Sequence, residues 1–365
     1  MVMDTVLVYD LHASENGALA ILKDFYEDAI NQKNINWVFI VSNAKFSKAH
    51  NVQVLSYPWV KKSWFHRLFF QFFIEKKIIK EFKPSILLSL QNFPVSWFKG
   101  KQMVYLHQAI FVTDLKFSIK KDGIRIWLYQ KIAAFTLLKK ITRVSKVIVQ
   151  TQWMKEKLLL RSHLSENQIA IVTPAIPTFQ GVPYDILQAN KTFFYPASLF
   201  SYKNHHVILE AVNILKNKGY KGFQIIFTIT SNDNNISRQI YSFVKQNGLL
   251  DYFQFIGQIP RERCFKLYSE STLIFPSLLE SYGLPVLEAR LSNSNVVTVN
   301  EEYAHEILDG YSNSYFFDSF DSKKLSEIME KILNADYVYH SKNKVCITDH
   351  NVSLLDCVLS EIENK

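Results

Sequence analysis

Glu280 and Glu288 bracket the stretch PSLLESYGLPVLEA at residues 276–289, in which a Pro-Ser turn gives way to Gly283, Leu284 and Pro285. Proline suits a first helical turn, where its missing N–H would be unsatisfied anyway, and the free N–H groups of such a turn form a ready phosphate site. The apolar run STLIFPS at 271–277 reads as a buried strand. The segment therefore predicts strand, turn and helix, with Glu280 in the loop and Glu288 in the first turns of the helix. Carboxylates accept hydrogen bonds from paired hydroxyls. A ligand with a diphosphate at the helix end would then meet one carboxylate on each of its halves, and a sugar and a ribose are halves of that kind. The idle alternative is a capped surface helix bearing two solvated acids.

Short β-branched and aromatic runs alternate with longer segments of helical period along the whole chain. TVLVYD (5–10), NWVFIVS (36–42), SILLSL (85–90), QMVYLH (102–107) and KVIVQT (146–151) predict strands in the first half. TFFYPA (192–197), FQIIFTIT (223–230), YFQFIG (252–257), STLIFPS and NVVTV (295–299) predict them in the second. Such alternation implies two doubly wound parallel sheets, and 365 residues exceed what a single core usually serves. TPAIPTFQGVPYD at 173–185 has the proline content of an interdomain linker. The expected division is a first domain at 1–178, a linker at 179–190, a second domain at 191–345, and a helix at 346–365 packing back on the first. Ligands in open α/β sheets sit beyond the carboxyl ends of the strands, so two facing domains would form a cleft there.

The formal charge of +9 is unevenly placed: residues 1–180 hold 25 Lys and Arg against 12 Asp and Glu, and the remainder 17 against 21. A basic first half points to an anionic partner, either nucleic acid or anionic lipid. Three cysteines without CxxC spacing support neither a disulfide framework nor a zinc site. The N-terminus MVMDTVLVYD reads as a first strand rather than a signal peptide, and the apolar stretch 124–138 is broken by Arg125, Gln130 and Lys131, too polar to span a bilayer.

In its setting between FPS and GLP, the glutamate pair resembles the signature of retaining glycosyltransferases of family 4, which have the two-domain GT-B fold. The resemblance implies that Glu280 contacts a donor sugar, that the backbone of Ser281, Tyr282, Gly283 and Leu284 approaches the sugar and its phosphates, and that Glu288 holds the ribose. YPASLFSYKNHHVILEA (195–211) is similar to the family's phosphate-binding element, which places Lys203 and Asn204 at the diphosphate; Ser198 stands where many members carry arginine. YDLHASENGALAILKDFY (9–26) resembles the first βα unit of these enzymes, with Gly17 as the glycine that admits the phosphate and Asn16 in place of its usual glycine partner. His107, at the end of QMVYLH, takes the place of a histidine facing the donor sugar, and SLQNFPV (89–95) lies on the acceptor side.

The implied reaction moves a hexosyl or deoxyhexosyl group from a nucleoside-diphosphate sugar to a saccharide, as in capsule, exopolysaccharide or O-antigen assembly. No Asp-x-Asp suggests metal holding, so the expectation is a reaction without metal or other cofactor. Lys203, amides near Gly17 and the helix after Gly283 would supply the field for the leaving group. VKKSWFHRLFFQFFIEKKIIKEFK (60–83) interleaves cations with aromatics, as a segment lying in an anionic bilayer interface would, unless those aromatics are core. The expected partners are a nucleotide-sugar donor, a polyprenyl-diphosphate-linked saccharide acceptor and an anionic membrane surface. The expected location is the cytoplasmic face of the cell membrane. A nucleotide-sugar epimerase or a phosphorylase would share the fold. A nucleic-acid-binding protein would explain the basic half but would leave Glu280 and Glu288 without purpose.

Overall fold

The structure, a computed structural model, describes residues 3–13, 16–174, 183–341 and 352–363. The chain divides into two compact units: 1–117 with 125–175 and 349–365, and 118–124 with 176–348.

The first unit is built on seven parallel strands: β1 (Asp4–Asp10), β2 (Ile35–Val41), β3 (Val52–Ser56), β4 (Ile86–Ser89), β5 (Lys101–Tyr105), β6 (Lys146–Val149) and β7 (Ile169–Ile171), in the order β3-β2-β1-β4-β5-β6-β7. The central strands read as unbroken apolar runs because both faces are covered. From β1, Val6 and Val8 enter a core with Leu22, Phe25 and Trp37, while Leu7 and Tyr9 enter another with Ile40, Phe70 and Leu87. The helix Leu354–Glu363 adds Leu354, Cys357 and Val358 to the first of these cores, and the Lys101 ammonium donates to the Glu361 carbonyl at 2.9 Å.

The second unit has six parallel strands: β8 (Thr192–Tyr195), β9 (Gln224–Phe227), β10 (Phe253–Phe255), β11 (Thr272–Phe275), β12 (Val296–Val299) and β13 (Ser314–Phe317), in the order β10-β9-β8-β11-β12-β13. Strand order reverses at β1/β4 in the first sheet and at β8/β11 in the second. Those switch points are where the loops after the strands open a crevice.

Three strands, β3, β7 and β13, lie outside the ten that the hydrophobic pattern predicts, and all three are sheet edges. An edge strand pairs on one side only and is partly covered, so VQVLS, IAI and SYFF lack the buried apolar run that marks an interior strand. The domain boundaries shift as well. Ser118–Ile124 groups with the second unit, and the Ser201 hydroxyl donates to Asp122 Oδ1 at 2.6 Å. Of the linker expected at 179–190, residues 179–182 lie outside the described residues. Asp185 belongs to the second unit, where its N–H donates to the Ser269 carbonyl at 2.8 Å and its side chain caps the helix Ile186–Ala189.

Candidate functional site

Lys203 and Glu280 are 77 residues apart, and the sheet brings them together. β8 and β11 are neighbours in parallel register, Phe193 with Thr272 and Phe194 with Leu273, so the loops that leave them run side by side. The Leu278 N–H donates to the Tyr202 carbonyl at 2.8 Å and ties one loop to the other. Lys203 closes a short 3-10 turn, Ser201–Lys203, whose last carbonyl accepts from the Tyr195 hydroxyl at 2.6 Å. From that turn its ammonium forms an ion pair with Glu280 Oε1, both side chains largely shielded from solvent. Asn204 follows in the left-handed region (φ 52°, ψ 38°) as N-cap of the helix His205–Asn217, and its side-chain amide donates to the Ser319 carbonyl. Asparagine tolerates that conformation better than most residues. His205 is buried against Tyr195 and Phe227, and burial, with the nearby Lys203 charge, lowers its pKa to about 3.

Gly283 turns the chain from this loop into the helix Leu284–Leu291 at φ 80°, ψ 49°. An added Cβ there would lie 3.1 Å from Tyr303 Cδ2, so glycine is required by both conformation and space. Leu284 is the first residue of the helix and Pro285 the second, so the Leu284 N–H has no acceptor within the helix and Pro285 has no N–H to satisfy. Tyr282 is buried and Ser281 half-buried beside this turn.

Glu288, the fifth residue of the helix, is buried and doubly held. Its Oε1 accepts from Arg261 Nε at 2.8 Å and forms an ion pair with Arg261 Nη2 at 2.7 Å, and its Oε2 accepts from the Tyr268 hydroxyl at 3.1 Å. Sequence reasoning did not single out Arg261 or Tyr268. The available signal was their spacing, since residues 261 and 268 fall two turns apart on one face of the helix Arg261–Glu270.

In the first unit, Gly17 is the second residue of the helix Asn16–Ile30 rather than part of the loop before it, so its N–H belongs to the first turn, where no intrahelical acceptor exists. His107 lies two residues beyond the end of β5. Its Nε2 donates to the Leu90 carbonyl at 2.8 Å and its backbone N–H to Asn92 Oδ1 at 2.6 Å. Burial lowers its pKa to about 4, so near pH 7 the ring is neutral, with Nδ1 as its remaining acceptor. Beyond β1, Asp10 Oδ1 accepts from the N–H groups of His12 (3.0 Å) and Ala13 (2.9 Å), and His12 Nδ1 lies 3.0 Å from Gln91 Oε1.

The aromatics of 60–83 divide between core and surface. Phe70 is fully buried, whereas Phe65 and Phe73 are 65% and 64% exposed. The segment is two short helices, Trp64–Phe69 and Glu75–Phe82, joined by a π-helical turn at Phe70–Ile74. A second helical stretch, Ile124–Ile141, carries the same kind of π turn at Tyr129–Ala133 and exposes Ile124, Ile132 and Phe135, the last at 70%. The loop between β4 and β5 connects the two: the ring of Trp97 lies 5.7 Å from that of Phe72 and under the Lys76 ammonium at 3.8 Å, while Lys140 donates to the Ser96 hydroxyl at 3.0 Å. Exposed apolar side chains of both stretches thus lie near lysines, Lys76 over Trp97 and Lys140 on Ser96. No helix of the described residues is long and apolar enough to cross a membrane.

Residues 183–348 match the family model described as glycosyl transferases group 1. A capsular polysaccharide biosynthesis glycosyltransferase, CapM of Staphylococcus aureus, is 20% identical over 225 residues, which is 57% of this chain; the match spans 56% of the relative's own length. Among solved structures, Staphylococcus aureus TarM aligns with 100% of this chain and 98% of its own at TM-score 0.69 and 10% identity. Anabaena HepE, solved with UDP and glucose, aligns over 99% of both chains at TM-score 0.66 and 14% identity. Two parallel-sheet units and full-length structural similarity at this level establish a GT-B fold whose second unit carries the sequence pattern of the group 1 glycosyl transferases.

Proposed function

We propose that this chain is a retaining glycosyltransferase that moves a hexosyl or deoxyhexosyl group from a nucleoside-diphosphate sugar to a lipid-linked saccharide during cell-surface polysaccharide synthesis. The observation that carries this reading is the pairing of Lys203 with Glu280 beside the Gly283 turn, with Glu288 held one helical turn further on. In this reading Glu280 takes a hydroxyl of the donor sugar, and Lys203 and the Leu284 N–H face the diphosphate. Glu288 takes the ribose. A lysine ammonium has three donors, and Lys203 spends one on Glu280, which leaves two for phosphate oxygens. As the bond from the anomeric carbon to the phosphate oxygen breaks, charge builds on the diphosphate and the fixed cation and peptide dipoles stabilise it. The acceptor hydroxyl attacks the same face, and its proton passes to the departing phosphate oxygen. Neither a carboxylate nucleophile nor a metal enters this scheme.

The binding of UDP and glucose by HepE supports a nucleotide-sugar donor, and the capsular relative supports a saccharide acceptor. The exposed aromatic and aliphatic side chains of the first unit, with lysines beside them, support docking on the anionic cytoplasmic surface of a cell membrane, where a polyprenyl-diphosphate-linked acceptor resides. Nothing in the two sheets favours the epimerase reading, and the paired carboxylates on the second unit favour a nucleotide sugar over nucleic acid.

The test is a thermal-shift panel of nucleoside diphosphates and nucleotide sugars, followed by product analysis with the labelled sugar that binds. A ligand that binds only the folded chain raises its apparent stability. We expect one nucleotide to stand out, sugar transfer to an acceptor rather than isomerisation of the donor, and a fall in turnover of about 100-fold or more for Lys203→Ala. No shift with any nucleotide, or an unchanged turnover number in the variant, would refute the assignment.

A further inference from the structure

Three neighbouring strands of the first unit, β1, β4 and β5, run side by side, and the loop after the middle one holds a histidine from each flank. On the β5 side the Leu90 carbonyl and Asn92 Oδ1 hold His107. On the β1 side Gln91 Oε1 lies 3.0 Å from His12 Nδ1. An amide oxygen only accepts, so the proton sits on His12 Nδ1, and Nε2 keeps its lone pair with no partner among the described residues. The backbone is fixed as well: Asp10, the buried last residue of β1, accepts from the His12 and Ala13 N–H groups at 3.0 Å and 2.9 Å. Gln91 is buried, yet His12 is exposed. An imidazole held at both its backbone and its ring, with one nitrogen open to solvent, is organised in advance for a ligand.

The chemistry of that nitrogen limits what the ligand can be. Desolvation of the ring, with the nearby Arg67 and Lys61 charges, lowers its pKa to about 4, so near pH 7 Nε2 is a neutral acceptor. The oxygens of an ionised diphosphate also only accept, which excludes them from this position, whereas a hydroxyl can donate. In the reading given above, the sugar, diphosphate and ribose of the donor are met by Glu280, Lys203 and Glu288, all on the second unit; the hydroxyls still without a partner are those of the saccharide acceptor. His12 also stands beyond the carboxyl end of β1 at the β1/β4 switch point, where ligands of open α/β sheets sit. We propose, resting on the glycosyltransferase reading, that His12 Nε2 binds a hydroxyl of the saccharide acceptor beside the one that attacks, and that Gln91 is a positioning residue that fixes the tautomer of the ring.

The experiment has two arms, both on the full chain. In the first, nitrogen NMR of the histidine-labelled chain near pH 7, assigned with His12→Ala, reads the tautomer: His12 should carry its proton on Nδ1, and Gln91→Ala should move it toward Nε2. In the second, transfer is measured from UDP-glucose, UDP-galactose, UDP-N-acetylglucosamine, GDP-mannose and dTDP-rhamnose to the octyl glycosides of glucose, galactose, mannose and N-acetylglucosamine. With a pair that reacts, His12→Ala should raise the KM of the glycoside about tenfold, the scale of one hydrogen bond, and hold that of the nucleotide sugar within about twofold. His12→Gln, whose amide oxygen can stand in for Nε2, should recover part of the loss. Because His12 is exposed, its replacement removes no core packing, and a general folding defect would move both KM values together.

A proton on His12 Nε2, a glycoside KM that His12→Ala leaves unchanged, or equal changes in both KM values would overturn this proposal while leaving the transferase reading in place. A rise in the nucleotide-sugar KM alone would overturn it too and assign His12 to the donor. No transfer from any of these donors to any of these glycosides would overturn the transferase reading, and this inference with it.

Discussion

Glu75 opens the helix Glu75–Phe82 and is nevertheless buried, which makes its carboxylate the clearest single-residue lever on the stability of the first unit. Burial raises its pKa to about 7, against smaller opposing effects of the Tyr9 hydroxyl and Lys76. Burial likewise raises Asp10 to about 6, offset in part by the N–H groups of Ala13 and His12. A carboxyl whose folded pKa lies above its unfolded value holds a proton in the folded chain that the unfolded chain has released, so its contribution to stability falls as pH rises between the two values. His12 and His107, both lowered to about 4 by burial, act in the opposite sense, so the parent's own pH profile mixes the two. Glu75→Gln isolates one group. Relative to the parent it should gain nothing at about pH 4.5 and about 1–3 kcal/mol by pH 8, because one pKa unit corresponds to about 1.4 kcal/mol. Urea melts of both chains at the two pH values measure this, and a difference that does not change with pH would show that Glu75 ionises alike in both states.

At the scale of elements, the turn at Gly283 connects donor chemistry to packing. Alanine there would hold φ near +80° and press its Cβ against Tyr303 at 3.1 Å and Ile307 at 3.3 Å. Tyr303 in turn donates its hydroxyl to the Ser277 carbonyl at 2.7 Å, in the loop that carries Glu280, so any yielding of Tyr303 moves that loop. Gly283→Ala should cost about 1–3 kcal/mol of stability and also weaken nucleotide binding. Gly310 provides the control: its φ is +67° with nothing within 4 Å of an added Cβ. Gly310→Ala should be strained yet leave nucleotide affinity unchanged. Identical behaviour of the two variants, in melts and in titrations, would separate the Gly283 turn from ligand binding.

At the scale of the whole molecule, charge and apolar exposure coincide on the first unit. Phe65 and Phe73 come from one helical stretch and Phe135 from another, with Ser96 and Trp97 on the β4–β5 loop in contact with Lys140 and Lys76 of the two stretches. If both stretches enter the bilayer interface, flotation with vesicles of phosphatidylcholine and phosphatidylglycerol should capture the chain and vesicles of phosphatidylcholine alone should not. High salt should release it, since each basic group near an anionic surface contributes about 1 kcal/mol and is screened. Phe73→Glu and Phe135→Glu should each reduce capture. Retention of the Phe135→Glu chain with the loss of Phe73→Glu would confine docking to residues 64–82, and equal capture by neutral vesicles would exclude an anionic surface as the partner.

Local chemistry was enough to predict ten strands, the loop position of Glu280 and the helical position of Glu288, because interior parallel strands must be apolar throughout and helix starts need particular residues. The edge strands β3, β7 and β13 escaped, since half-covered strands need no such run. The segment Ser118–Ile124 escaped too, because a short polar stretch carries no mark of the unit it joins. Pairings across long separations were equally hidden. Lys203 meets Glu280 because β8 lies beside β11, and Arg261 and Tyr268 meet Glu288 because two helices present facing sides. Which aromatics of 64–73 are core and which face solvent also depended on where the helix lies, as its aromatic run leaves no polar face to orient it. Residue types and spacing thus determined which groups could act, and only the tertiary structure decided which of them share a hydrogen bond, because contact across many residues is set by strand order and packing rather than by any neighbour in the chain.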